Sequence, residues 1–317
     1  MIESKRVVVF GATGFVGAEV VRALRNRRVT VMAMPTPRLP CVRADQADNL
    51  LHDLNDDIAI LAQRVCQADC VVNSAGVAEA ASTDEGLLIA ANGLVPGYLA
   101  KAAFMAGIPR FVQVSSAAVQ GRADVLDSSF AVAPFSPYSR SKTLGALLAR
   151  KAHPSTVEYR APGVHGADRQ ITQITARIAR SRISSVARPG SSPTPQALLK
   201  NVGDAIAFLS VSEVPPPAVV AHPSEGLTTA NVLTLLGGRR PFEIPRTLAR
   251  SIVAIGMTAG KIIPKVAVNT RRVEMLWFGQ SQAASWLTEA GWKPPAGHDA
   301  WKELGHLLAD PSHDRNN

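Results

Sequence analysis

Cysteine is scarce in this chain: three in 317 residues, at Cys41, Cys66 and Cys70. So sparse and odd a set excludes a disulfide-stapled scaffold. Cys66 and Cys70 could share a helix face, but no histidine cluster stands beside them to complete a metal site. We read all three as reduced thiols of a cytoplasmic protein without a metal. Aromatic residues are also few, at 5%, and acids are outnumbered: 25 Asp and Glu against 34 Lys and Arg leave a net charge of +9. That balance invites a nucleic-acid reading. The basic residues, however, are spread along the chain with little aromatic interleaving, which argues against it. A dinucleotide or a phosphorylated small molecule needs positive charge equally, and an arginine-rich composition produces the excess with no ligand at all. The first apolar run starts too early for a charged and apolar leader, so no signal peptide is expected. No apolar stretch of membrane-spanning length stands out. The nearest, Ser251–Gly260 between Arg250 and Lys261, is too short and reads as a core or lid helix in preference to an interfacial one.

What is present begins with an apolar run, Val7–Phe10, that feeds into Gly11-Ala-Thr-Gly14-Phe-Val-Gly17. A strand that ends in closely spaced glycines and resumes as a helix cradles a dinucleotide pyrophosphate. The first glycine permits the tight turn, the second lets the backbone approach the phosphates, and the third lets the helix pack close to the sheet. The following helix, from about Phe15 to Arg25, aims free N–H groups and its positive dipole end at the anion. Gly11, Thr13, Gly14, Phe15, Val16 and Gly17 are therefore candidate cofactor contacts.

Apolar content of 46% is ordinary for a globular chain, and the length suits one large or two unequal domains. Up to about residue 165, β-rich apolar runs alternate with helical stretches, which predicts a parallel sheet with crossover helices. Further strands are read at Val29–Met34, Cys70–Asn73, Phe111–Ser115 and Thr156–Arg160, and helices at Ile58–Gln67, Gly86–Ala106 and Tyr138–Lys151. Beyond Gly166, Pro/Gly-rich breaks separate helices at Ile171–Ile183, Val202–Leu209, Thr228–Leu236, Pro245–Ile255 and Ser281–Ala290, and the polar tail 310–317 is expected to fray. The expected class is α/β: a Rossmann-type doubly wound parallel sheet over residues 1–166, then a smaller, mostly helical C-terminal substrate lobe over 167–317, with some chain returning to the sheet.

Tyr138 and Lys142 form a Tyr-x-x-x-Lys pair that a helix would carry on one face. A Tyr hydroxyl ordinarily titrates near ~10, too high for a base at neutral pH. A neighbouring ammonium, or the positive nicotinamide of an oxidised cofactor, stabilises the phenolate. Upstream, Val114-Ser115-Ser116 ends a strand, where doubly wound sheets place their ligands, and a hydroxyl there could hold a substrate oxygen beside the Tyr. Asn92, on the long helix, could order a water or brace the Lys.

Taken in order, the glycine motif, Asn73-Ser-Ala-Gly76, Asn92, Ser115-Ser116 and Tyr138-Ser-Arg-Ser-Lys142 resemble the extended short-chain dehydrogenase/reductase family, in its NAD(P)-dependent epimerase/dehydratase branch. Arg160-Ala-Pro-Gly-Val-His-Gly166 looks like that family's Arg-Pro-x-x-x-Tyr-Gly segment, and Ala290-Gly-Trp-Lys-Pro294 like its closing Leu-Gly-Trp-x-Pro. The resemblance implies a catalytic hydroxyl at Ser116, an acid/base at Tyr138, its lysine at Lys142 and the proton-relay asparagine at Asn92. It also implies an adenine contact at Asp53, followed by Leu54. The turn over the cofactor ribose falls at Ala75 and Gly76, and the stretch near the nicotinamide at Pro162 and Val164, with Tyr138 and Lys142 also touching the cofactor. Three positions depart from the pattern: His165 replaces a usual Tyr, Gln120 replaces the Tyr before Gly121, and Gly163 stands where epimerases often carry a substrate-binding Asn. These positions line the substrate side.

The second strand ends Met32-Ala-Met-Pro-Thr-Pro-Arg38 without the acid that an NAD ribose asks for. NADP, with its 2′-phosphate on Arg38 or Arg43, is therefore expected before NAD. The resemblance implies a nucleotide-linked sugar, with a keto-sugar reduced or a hydroxyl epimerised. Arg177, Arg180, Arg182, Arg271 and Arg272 are candidate diphosphate contacts, Arg177 and Arg271 foremost. No acid pair follows the Ser motif to signal a dehydratase. The alternative is NADPH-dependent chemistry on an apolar, sterol-like or flavonoid-like ketone or alcohol, in a pocket shaped by the apolar helices between Pro245 and Val268. A non-catalytic cofactor-sensing or RNA-binding protein ranks last, because Ser116, Tyr138 and Lys142 are all present. A homodimer through two long helices is implied by the family alone.

Overall fold

Valine-rich runs too short for helices build a six-stranded parallel sheet: β1 Arg6–Phe10, β2 Thr30–Met34, β3 Cys70–Asn73, β4 Phe111–Ser116, β5 Thr156–Ala161 and β6 Val219–Ala221. Their order is β6-β5-β4-β3-β1-β2. The computed structural model describes residues 4–78 and 84–309, less the side chains of 264, 265, 267 and 268; the tail 310–317, expected to fray, lies outside the described residues. Both faces of the sheet are covered, as continuous apolar strands require. Val7 and Val9 pack with Val20, Leu24 and Ile206 on one face, and Val8 and Phe10 with Ile58, Leu99 and Phe111 on the other.

The order reverses between β1 and β3, and ligands of such sheets bind at that crevice, beyond the carboxyl ends of the strands. The register brings the ends together: Phe10 pairs beside Asn73, Asn73 beside Gln113, and Ser116 beside Ala161. Gly11, Ser74, Ala117 and Pro162 thus all leave the sheet from one edge.

The helix Glu85–Met105 corrects the sequence reading. Its 21 residues are long and apolar enough to cross a membrane, yet 78% of its most apolar window is buried. Leu94, Leu99, Ala100 and Ala103 pack in the core beneath the sheet, so core packing accounts for the apolarity. Within it, Ile89–Leu94 widens into a π-turn.

The expected helix Ser281–Ala290 is instead a short strand, Ser281–Gln282, and a single helical turn, Trp286–Glu289, which starts where Ser285 accepts from the Leu287 nitrogen. Helices Ala47–Asp53, Pro264–Phe278 and His298–Leu307, and the three-residue β6, escaped the pattern. Cys66 and Cys70 share no helix: Asn55–Val65 stops before Cys66, and Cys70 lies in β3, where burial pushes its thiol up to about 12.

Past β5 the chain crosses to a helical lobe with its own core of Ala176, Val186, Leu198, Leu233, Leu236 and Trp301. The helix Leu199–Val211 returns to the sheet layer, with Gly203 tight against Glu19 of the helix Phe15–Asn26 and Arg27 donating to Asp204 at 2.8 Å.

Candidate active site

A cleft of about 1400 Å³ opens along the carboxyl edge of the sheet. On one side lie Gly11, Thr13, Gly14, Phe15 and Val16. Gly11 turns with φ +73°, and a Cβ there would stand 2.5 Å from the Ala75 nitrogen, so no larger residue fits. The helix Phe15–Asn26 begins at Gly14 with no side chain capping it, which leaves its first N–H groups open to an anion. Gly17 is buried outside the cleft; a Cβ there would run into the Gly11 carbonyl oxygen, so it serves the close packing expected of the third glycine. The Arg169 guanidinium lies 4.9 Å from the centroid of the Phe15 ring. This cation beside the cradle carried no sequence signal except its nearness to the segment ending at Gly166.

The loop after β3 is held from below. Asn73 donates to Gln113 at 2.8 Å and accepts from the Ala75 nitrogen at 3.1 Å, while Ser74 Oγ donates to the Phe10 carbonyl at 2.7 Å. Ala75 and Gly76 line the cleft. A Cβ on Gly76 would sit 2.5 Å from Asn92 Oδ1 and 2.9 Å from Lys142 Nζ. Asn92 is buried with its amide fully engaged: it accepts from the Val77 nitrogen at 2.9 Å and donates to the Val77 carbonyl at 3.0 Å and Ser141 Oγ at 3.2 Å. It therefore ties the loop to the next helix, which makes it a positioning residue.

That helix, Pro137–Ala152, has a firm start. Ser136 Oγ accepts from the Ser139 nitrogen at 3.2 Å, Ser139 Oγ accepts from the Ser136 nitrogen at 2.9 Å, and Pro137 occupies the first turn. Tyr138 and Lys142 follow one turn apart and both line the cleft. Lys142 is buried, donates to the Val114 carbonyl at 3.4 Å, and holds its Nζ 6.0 Å from the Tyr138 ring centroid. Among the described residues no carboxylate pairs with it, and burial draws its ammonium down from 10.5 to about 8. At the end of β4, Ser116 Oγ accepts from the Ala118 nitrogen at 3.2 Å, and the buried Ser115 Oγ has no hydrogen-bond partner among the described residues. Both serines line the cleft, as do Pro162, Gly163 and Val164.

Several expected contacts lie elsewhere. Gln120 is buried outside the cleft, its amide donating to Asp127 Oδ1 at 2.7 Å and accepting from the Asp127 nitrogen at 3.0 Å. Asp53 is exposed at the end of Ala47–Asp53, and Leu54 packs into the core beneath the sheet; neither lines the cleft. Arg177 is exposed on Gln170–Arg180, whose apolar residues Ile171, Ile174 and Ile178 take the cleft side. Arg180 donates to the Leu308 carbonyl at 2.9 Å, and Arg43 pairs with Asp45 at 3.1 Å. Arg38 does line the cleft, exposed and without an ion pair among the described residues. Arg271 lines it too, but donates to Glu274 and to the Gly121 carbonyl, each at 2.9 Å.

The far wall comes from the lobe. Strand Gly163–His165 pairs with Gln196–Leu198, and a Cβ on Gly163 would collide with Gln196 Oε1. His165 donates from Nε2 to that oxygen at 2.7 Å, and burial lowers its imidazole to about 4, so it is neutral near pH ~7. Gln196, in no motif, gave no sequence signal. From the lobe the cleft is lined by apolar residues, Ile174, Ile178, Val232, Val273 and Leu276, and also by polar ones, among them Asn269, Arg272 and Gln280.

The sequence model of the NAD dependent epimerase/dehydratase family matches residues 7–194. No curated protein matches the chain. Among solved structures, MoeE5 in complex with UDP-glucose and NAD is similar, with a TM-score of 0.64 at 20% identity over 96% of this chain and 98% of that one. So is UDP-glucuronic acid 4-epimerase from Bacillus cereus in complex with NAD, with a TM-score of 0.63 at 16% identity over 96% and 98%. A dTDP-4-dehydrorhamnose reductase from Clostridium acetobutylicum follows, with a TM-score of 0.60 at 16% identity over 96% and 100%. At these identities the likeness to the solved structures is one of fold.

Proposed function

The chain belongs to the NAD dependent epimerase/dehydratase family, and on that premise we propose that it is an NADP-dependent oxidoreductase or epimerase of a nucleotide-linked sugar, acting through Ser116, Tyr138 and Lys142. The residues present suit a nicotinamide dinucleotide: an uncapped helix N-terminus would face the pyrophosphate, and Gly11 and Gly76 leave no room for a Cβ. Arg38, with no acid beside it at the end of β2, would take the 2′-phosphate. When bound, the nicotinamide gives or accepts a hydride at the carbon of the substrate C–O group.

Lys142 is the observation that carries this reading. A buried ammonium without an acid partner is costly, and such groups concentrate where chemistry uses the charge. Here that charge favours the phenolate of Tyr138. In the reducing direction Tyr138 gives its proton to the carbonyl oxygen; in the oxidising direction it takes the proton of the hydroxyl. Ser116 would hold the same oxygen by hydrogen bonding. Asn92 keeps the loop 75–77 against this helix, so that Lys142 stays beneath Tyr138.

Tyr138→Phe is expected to lower kcat by ~10²–10⁴-fold while NADPH binding is retained, assayed on keto-sugar nucleotides. Near-normal turnover in that variant would sink the mechanism. The solved neighbours bound to UDP-glucose and to UDP-glucuronic acid support the sugar-nucleotide substrate. A second reading, an apolar ketone or alcohol, is favoured by the wall of Ile174, Ile178, Val232, Val273 and Leu276 and by the engagement of Arg271 with Glu274. Inhibition by free nucleoside diphosphate selects the first reading, and indifference to it selects the second.

A further inference from the structure

Helices Arg246–Ala259 and Pro264–Phe278 form a hairpin on the lobe. The first buries only Ala249 and Val253, and Gly256 fits closely against Thr270 of the second. Of the two sequence readings, core or lid helix, the core one does not hold here, because a second apolar stripe of this helix faces outward. Leu248, Ile252 and Ile255 recur at helical spacing on one side and are 51%, 44% and 70% exposed, and Ile262 and Ile263 at the hairpin's turn are 84% and 54% exposed. Scattered exposed leucines are ordinary, but five large aliphatic side chains within sixteen residues form a patch that calls for a partner.

The charge around the patch is of one sign. Between Pro245 and Phe278 the sequence carries six Lys and Arg and one acid. That acid, Glu274, accepts from Arg122 and Arg271, each at 2.9 Å. Arg246, Arg250 and Lys261 are exposed beside the aliphatic stripe. An aliphatic stripe flanked by cations, with no free acid, is the pattern of a helix that lies in the plane of an anionic lipid interface. A protein partner of ordinary surface would not require the missing acids, and a second copy of this hairpin would set cations against cations.

We propose that the hairpin 246–278 docks this enzyme onto an anionic lipid surface, with Leu248, Ile252, Ile255, Ile262 and Ile263 entering the acyl boundary and Arg246, Arg250 and Lys261 meeting the headgroups. The hairpin also borders the cleft: Asn269 and Val273 line both the active-site cleft and an apolar groove of about 260 Å³ between the two helices. Docking therefore brings the mouth of the cleft to the lipid boundary. The proposal is independent of the reaction at Tyr138.

The test is co-sedimentation of the full chain with vesicles of phosphatidylcholine, with and without phosphatidylglycerol, with sedimentation velocity run alongside. Binding is expected to the anionic vesicles only, and to fall as salt rises. Ile255→Glu and Ile262→Glu should each weaken it by about tenfold or more, and Arg250→Gln and Lys261→Gln by about fivefold each. Because these side chains are exposed, NADPH affinity and thermal midpoint should be unchanged, and a variant that loses both is set aside in favour of its neighbour. No binding to anionic vesicles, or equal binding to neutral ones, overturns the proposal. It is overturned too if the protein sediments as a dimer that Ile255→Glu dissociates and that leaves the vesicles unbound.

Discussion

Lys142 is held where its charge costs stability, and this gives a pH dependence with a definite sign. Unfolded, it keeps its proton up to about 10.5; folded, it loses it near 8. Between those values the unfolded chain binds more protons, so this residue's contribution makes stability rise with pH, and below 8 the whole penalty is present. The displacement corresponds to ~3 kcal/mol. Lys142→Met should therefore stabilise the protein by up to about that much at pH ~7, with the gain vanishing near pH ~10, as read by urea melts at both pH values. The same variant should abolish turnover. Arg38 gives a second prediction. Exposed in the cleft and without an ion pair among the described residues, it can be lost without cost to the fold. Arg38→Ala should raise the Kd for NADPH about tenfold or more and leave that for NADH unchanged; equal affinities before and after would remove it from the site. At this scale the sequence was legible wherever function follows from residue type at fixed spacing. Gly11, Ser116, Tyr138 and Lys142 do meet in one cleft. Legibility failed for Gln120, Asp53 and Arg177, whose surroundings depend on residues far away in the chain.

The Tyr138–Lys142 pair depends on one element, the helix Pro137–Ala152. Its reciprocal Ser136–Ser139 cap fixes the turn that carries Tyr138. Ser136→Ala should cost about 1 kcal/mol of stability and lower kcat with it, measured by denaturant unfolding and initial rates; an unchanged unfolding midpoint would refute the cap. The opposing helix Glu85–Met105 reads in the sequence as one long helix, Gly86–Ala106, with a Gly and a Pro inside it. Its π-turn, Ile89–Leu94, closes where the Val95 nitrogen donates to the Ala90 carbonyl five residues back, just before Pro96. Asn92 thus sits where the helix is widened, opposite Gly145, at which a Cβ would strike its carbonyl oxygen. Hydrophobic periodicity registers the long helix, but the irregular turn becomes apparent only beside its neighbour.

On the scale of the whole molecule, Glu225 joins the lobe to the sheet layer. It accepts from the Leu198 nitrogen at 3.1 Å, Asn201 at 2.8 Å and Trp301 at 3.0 Å, so it binds a cleft strand, the returning helix Leu199–Val211 and the C-terminal helix His298–Leu307. Glu225→Ala removes the partner of the Leu198 nitrogen and of the buried Trp301 indole, and one of the two partners of the Asn201 amide, and should destabilise the chain by about 3 kcal/mol or more, seen as a lower urea midpoint; a shift too small to resolve would show that the lobe is held otherwise. The closing Gly-Trp segment fills a similar role: Trp292 is buried and donates to Asp204 at 2.9 Å, clamping the C-terminal region onto the same helix.

The order of β-rich runs and helices, the glycine cradle and the Tyr138–Lys142 pair were determined by sequence alone, because each rests on neighbours within a few residues and on periods that the backbone imposes. The alternation predicted the Rossmann-type sheet with only β6 missed, since three residues are too few to carry a period. Tertiary structure decided the lobe side of the cleft. Its wall is drawn from Gly163–His165, Gln170–Arg180, Gln196–Leu198 and Pro264–Phe278, segments joined only by folding. Whether an arginine there faces the cleft or is taken up by a partner, as Arg271 is by Glu274, depends on which distant side chain reaches it first. No spacing along the chain encodes that choice.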